Sequence, residues 1–434
     1  MSALTRSASN RFMTPPHGTC RVMQRSLFLL VFWLIAATPT MADNRAPYVP
    51  TSPDVVLEHV PSSTDPRVRH FDQLQAELRR NPGDMQRALK LADAYIDYAR
   101  STGDVRYLGR ALAVIEPWMR RKSVPVPVLL THATILQSRH SFEDARKELT
   151  AILARDPGNV QAWLTLATVA LVQGDYAIAN DSCVHLATIS GNFMGMLCTA
   201  QLRSIDGHAK QAYALLGFIE NPGPEAPATI KAYIEGLLAD TAMHLGKPDE
   251  AETHFKAALQ WTPGDNFLLA DYADFLLDQN RPHDAIALVK DYTQSDTSFL
   301  RLVMAESALH NPRAPADIAQ MQARFAAMEQ RGSHVFQREQ AIFELHLMHD
   351  PARALALAQE NWSVQRAPQD MRIILESALA AGKPHAAQPV LDLIRQSHLQ
   401  DPRVDRLVEQ VTAALTKTGA TAQTAQTAQT AARP

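Results

Sequence analysis

Between residues 67 and 414 apolar positions recur at helical spacing rather than in strict alternation, and the whole pattern repeats every 34 residues. When 232–265 is laid over the stretch beginning at Asn266, Ala239 falls on Ala273, Ala242 on Leu276, Gly246 on Asn280, Ala251 on Ala285 and Phe255 on Val289. The same frame started at Val126 and Val160 sets Ala133 on Ala167, Leu136 on Ala170, His140 on Gly174, Ala145 on Ala179 and Leu149 on Cys183. Further copies from about 193 and about 368 bring Ala200, Gly207, Ala212 and Leu216, then Ala378, Gly382, Ala387 and Leu391, into those columns.

Each column has a mechanical meaning. Two alanine columns let helix axes approach closely, and the large apolar residues fill the space between them. Gly174, Gly207, Gly246, Asn280 and Gly382 stand where a first helix must stop in a left-handed residue, and His140 departs from that rule. Lys247-Pro248-Asp249-Glu250 and Arg281-Pro282-His283-Asp284 then start a second helix, with proline where no amide proton is needed and acids at the positive helix end. Asn81-Pro82-Gly83-Asp84, Asp156-Pro157-Gly158-Asn159 and Thr262-Pro263-Gly264-Asp265 turn the chain into the next unit. The pattern predicts an all-α protein, a right-handed α-solenoid of antiparallel helix pairs over 67–414.

Trp163, Leu166, Ala167, Ala179, Ala251, Phe255, Ala258 and Pro263 sit as in the tetratricopeptide repeat, and most of the body resembles that family. The pattern is broken by an extra stretch at 101–108, by long spacing around Pro222-Gly223-Pro224, by Leu375 in a small-residue column and by a poor match over 300–331. Arg338-Glu339-Gln340-Ala341-Ile342-Phe343 and Asn361-Trp362-Ser363-Val364-Gln365 are similar to segments of exported bacterial repeat proteins without assigned activity. The resemblance implies a superhelix whose concave face binds a protein or peptide. The family's carboxylate clamp of Lys, Asn and Arg is missing, because the inward positions hold Leu130, Thr134, Leu164, Thr168, Gly236, Asp240, Ala270 and Asp274.

Outside the array, residues 1–42 carry four arginines, no acid and an apolar run over 27–37, which predicts an export signal, with Met23 as an alternative start. The run has eleven residues where a membrane span needs about 20, so no stable span is expected once the signal is removed. Residues 43–66 hold five prolines and read as an extended linker, while 415–434 repeat Thr-Ala-Gln and predict a disordered low-complexity tail. The expected location is the periplasm or the exterior of the cell.

Without the leader, 38 Lys and Arg face 45 Asp and Glu, a formal charge of -7 that argues against a nucleic-acid partner. Two cysteines remain, Cys183 and Cys198, fifteen positions apart. In an oxidising compartment they either pair or serve as small buried apolar groups.

The chain shows no phosphate-cradling glycine loop, nucleophile elbow or zinc-binding His-Glu-x-x-His string, so no catalytic site, cofactor or metal is expected. One inward column, Asp93, Thr134, Thr168, Gln201, Asp240, Asp274 and Glu376, is rich in acids, which predicts a groove for a basic or amine-bearing partner. Amphipathic helices would also place such residues at wet positions. Two rival readings are a scaffold bridging envelope complexes through the two ends, and an enzyme whose site draws on Glu306, His310, His334, Glu339, Glu344, His346 and His349 within 300–348.

Overall fold

Local signals set the helix boundaries. Asp84, Asn159 and Asp265, the last residues of the three predicted turns, each accept a backbone N–H from the first turn of the next helix. Pro248 and Pro282 open their helices, and Gly174, Gly207, Gly246, Asn280 and Gly382 all stop theirs at positive φ.

The computed structural model describes residues 66–431 apart from 221 and 334, within a unit spanning Val56–Pro434. The predicted leader and, apart from Pro66, the linker lie outside these described residues. The described residues form twenty α-helices, one 3-10 turn and no strand.

A lead helix, α1 (Pro66–Arg80), precedes nine helix pairs. The first three are α2 (Met85–Thr102) with α3 (Arg106–Met119), α4 (Val126–Ser138) with α5 (Phe142–Arg155), and α6 (Val160–Val172) with α7 (Tyr176–Ile189). The middle three are α8 (Asn192–Ile205) with α9 (Ala209–Ile219), α10 (Ala228–His244) with α11 (Pro248–Trp261), and α12 (Asn266–Asp278) with α13 (Pro282–Val289). The last three are α14 (Asp296–Ala308) with α15 (Ala314–Gln330), α16 (Gln337–His346) with α17 (Pro351–Trp362), and α18 (Pro368–Ala380) with α19 (Gln388–Ser397). Helix α20 (Pro402–Ala431) follows.

The poorly matched stretch 300–331 thus builds a full pair, and the prolines near 222 only lengthen the link from α9 to α10. Helix α20 extends through Ala431, into the tail for which the sequence predicts disorder. Alanine and glutamine favour helix, while burial against the array ends near Val411 and Leu415.

Both alanine columns are buried: Ala133, Ala145, Ala179, Ala239, Ala251, Ala273 and Ala285 have no exposed surface. His140 departs from the glycine rule in residue type only. It adopts φ 59°, and His310, His349 and His398 do likewise at other helix stops. His140 is held there by the Gln365 amide, 3.1 Å from its Nδ1, and by stacking on Phe142.

Curvature follows from which helices touch. First helices pack on one another in series, α2 on α4, α4 on α6, α6 on α8, and again α12 on α14, α14 on α16 and α16 on α18. Each second helix packs chiefly on the first helices beside it, so the row of first helices lies on the inner side of the bend.

The bend is tight enough for late residues to return to early turns. Helix α12 meets α2, and the Arg366 guanidinium reaches the carbonyl of Gln173. A Cβ on Gly174 would lie 3.3 Å from Leu393, one on Gly207 2.7 Å from the His398 carbonyl oxygen, and one on Gly246 3.3 Å from Pro402. Three successive glycine stops therefore serve twice, allowing the left-handed backbone and admitting the 393–402 stretch across the turns. Cys183 and Cys198 form a disulfide joining α7 to α8, with Cα atoms 5.3 Å apart.

Candidate functional site

The inward acid column divides into two parts with different surroundings. In the later part Asp274 and Glu376 are paired with cations of their own chain, while Asp240 lies only near a histidine. Asp274 accepts two bonds from the buried Arg301 guanidinium, at 2.9 and 2.7 Å. Glu376 accepts from Arg372 at 2.7 Å and lies 3.2 Å from His346 Nε2. Burial alone would push the Glu376 carboxyl up, but these two partners hold it below the ordinary carboxylate range. Asp240 lies 3.7 Å from His244 Nε2, which stands equally far from the buried Asp401, itself clasped by Arg403.

Arg372 also grips Asp278 with both terminal nitrogens, at 2.6 and 2.7 Å, across 94 residues of sequence. Arg338 pairs with Glu339 at 3.1 Å and faces Asp370 at 3.6 Å, and Asp370 accepts the Asn361 amide at 2.7 Å. An axial seam of alternating charge results. The sequence analysis missed its basic half, although Arg338 and Arg372 stand one repeat apart and Arg301 lies close to the same frame.

In the earlier part the column borders an open groove between α2, α4 and α6, about 740 Å³ in volume, which holds Asp93, Asp97, Thr131, Thr134 and Gln161. The Asp93 carboxyl is pushed above its ordinary range by withdrawal from water and by the like charge of Asp97 one turn on. Neither acid has a hydrogen-bond or ion-pair partner among the described residues, and Lys90 and Arg100 line the same groove. Thr134 and Thr168 donate their hydroxyls to the carbonyls four residues back, Leu130 and Leu164, and Gln201 is half-buried on α8.

The residues gathered for the enzymatic rival are dispersed. Glu339 is locked between Arg338 and Arg301, Glu344 binds Arg353, His346 faces Glu376, and Glu306 lies buried facing Asp317. His310 and His349 are helix stops, and His334 lies outside the described residues.

One other cluster offers metal-ligand atoms within 4.8 Å of one another, at Glu220, Glu235 and His254. Both His254 ring nitrogens already have protein partners, Glu235 at 2.7 Å and the Tyr213 hydroxyl at 3.0 Å. No helix among the described residues is long and apolar enough to cross a membrane.

Stacked helix pairs with small-residue contact columns define a helical-repeat solenoid, the architecture of a protein-interaction module. Residues 130–179 and 237–307 each match a tetratricopeptide-repeat family model, so both stretches carry tetratricopeptide repeats. No curated protein matches it in sequence.

Among solved structures it is similar to PilW, a widely conserved type IV pilus biogenesis factor, at 18% identity and a TM-score of 0.38 over 46% of this chain and 94% of that one. A tetratricopeptide repeat protein from Parabacteroides merdae ATCC 43184 is 15% identical, with a TM-score of 0.36 over 59% of this chain and 93% of its own. A Rap protein complexed with competence and sporulation factor is 12% identical, with a TM-score of 0.44 over 79% and 99%.

Proposed function

We propose that this chain is an exported interaction module that holds a segment of a protein partner along the groove of α2, α4 and α6, with a basic or amine-bearing group of the partner against Asp93 and Asp97. One observation carries the reading: Asp93 and Asp97 have no direct partner among the described residues, with Lys90 and Arg100 lining the same groove, whereas Asp274 and Glu376 are paired from within. A partner's cation gains most where it meets an unneutralised acid and displaces no existing pair. Export is supported by the sequence pattern of 1–42 and by a disulfide of the kind that persists in oxidising compartments.

A photo-crosslinking side chain at Thr134, in the groove, is compared with one at Lys147, exposed on α5. The expected result is a discrete partner band from the Thr134 probe, lost when Asp93→Lys and Asp97→Lys are combined and absent from the Lys147 probe. Equal labelling from both positions, or a band indifferent to charge reversal, refutes the groove. A phosphatase fused after the first 66 residues, active only outside the cytosol, checks export.

A further inference from the structure

Where the end of α2 meets the start of α12, the superhelix forms a second, partly open cavity of about 270 Å³ that shares Arg100 with the groove. Its walls are mostly apolar, with Leu108, Phe142, Val172 and Phe336 among them. Phe267 also lines it and is 59% exposed, an aromatic ring uncovered beside the space.

Most charged side chains around the cavity are satisfied by the protein. Arg301 is held by Asp274, and Arg338 and Glu339 hold each other. The neutral His140 ring takes the Gln365 amide. Among the described residues two lining groups of opposite sign have no hydrogen-bond or ion-pair partner, the exposed Arg100 guanidinium on α2 and the Asp271 carboxyl on α12, which Arg338 and Arg301 influence only at longer range.

An apolar cavity that leaves one cation and one anion unpaired is complementary to a ligand carrying one group of each sign on a short apolar body. We propose that this cavity binds a small zwitterion, a free amino acid or a dipeptide with an apolar side chain, its carboxylate on Arg100, its ammonium on Asp271 and its side chain against Phe267. The volume lies just below the roughly 300–1,000 Å³ of pockets for drug-sized ligands, a size that suits a small zwitterion.

The electrostatics of Asp271 point the same way. Burial and the nearby Asp240 and Asp274 push its carboxyl up to about 7, against the opposing pull of Arg338 and Arg301. An ammonium at that place would add a direct hydrogen-bonded partner where Arg338 and Arg301 act only at longer range. The groove proposed above shares Arg100 with this cavity but involves neither Asp271 nor Phe267, so the Asp271 arm of the test separates the two ideas.

The test is isothermal titration of the purified full chain, disulfide intact, at mildly alkaline pH. The probes are the free apolar amino acids and the dipeptides built from Leu, Val and Phe. Binding by at least one probe is expected, weakened roughly 10- to 100-fold when its amine is acetylated or its carboxylate amidated, as for loss of a charge-assisted hydrogen bond.

Asp271→Asn should erase the difference between free and acetylated probe, and Arg100→Gln the difference between free and amidated probe. Unchanged circular dichroism and thermal melts for both variants verify that the fold survives. The proposal is overturned if no probe binds at millimolar concentration, if blocked probes bind as well as free ones, or if Asp271→Asn keeps the wild-type preference.

Discussion

Closure of the superhelix onto its own turns can be measured by comparing the same substitution at two glycines. Gly207 (φ +85°) and Gly382 (φ +64°) both stop a first helix in the left-handed region, so alanine at either should cost about 1–2 kcal/mol in backbone strain. Their surroundings differ. A Cβ at Gly382 meets nothing within 4 Å, whereas one at Gly207 lies 2.7 Å from the His398 carbonyl oxygen and 2.8 Å from its Cβ. Because the obstacle is backbone, the return stretch must move away, which costs a further 1–3 kcal/mol or so by analogy with an overpacked core.

Gly207→Ala should therefore destabilise by about 2–5 kcal/mol and Gly382→Ala by about 1–2 kcal/mol. Urea unfolding followed by circular dichroism gives both values. Hydrogen exchange adds a local readout, with faster exchange over 395–404 expected for Gly207→Ala alone. Equal loss of stability in the two variants, with no change in exchange there, would show that the return stretch does not lean on the Gly207 turn.

Other expectations follow from the same structure. Ala251→Leu, at a fully buried contact between helices, should cost about 1–3 kcal/mol in a chemical melt, and an unchanged midpoint would refute the close-approach role of that column. Reduction of Cys183–Cys198 opens a fifteen-residue loop and should lower stability by about 3 kcal/mol in the chain-entropy model, read from melts with and without reductant. Folding raises the Asp271 carboxyl from 3.8 to about 7, so its contribution is fully present below pH 4 and is lost as pH climbs toward 7. Asp271→Asn should flatten that part of the stability profile, and parallel wild-type and variant curves between pH 4 and 8 would contradict the assignment.

Much of this architecture was legible in the sequence because it is written locally and then repeated. A glycine that ends a helix, a Pro-Gly-Asp turn whose last side chain caps the next helix, and an alanine every 34 residues each act through neighbours a few positions away or one unit away. Periodicity reports such relations directly. His140 fell in the stop column by alignment, whereas the stops at His310, His349 and His398 escaped because no glycine or asparagine marks them. Each takes it because the helix before it must end there.

Only the tertiary structure decided which face of the array stays available. Gln365 meets His140 across 225 residues, Arg366 meets Gln173 across 193, and Arg372 meets Asp278 across 94. Those separations reflect the superhelical pitch, a sum of small rotations between units that no single repeat encodes. The acids at Asp93 and Asp274 therefore look alike along the chain and differ in space, one facing an open groove and the other held by Arg301.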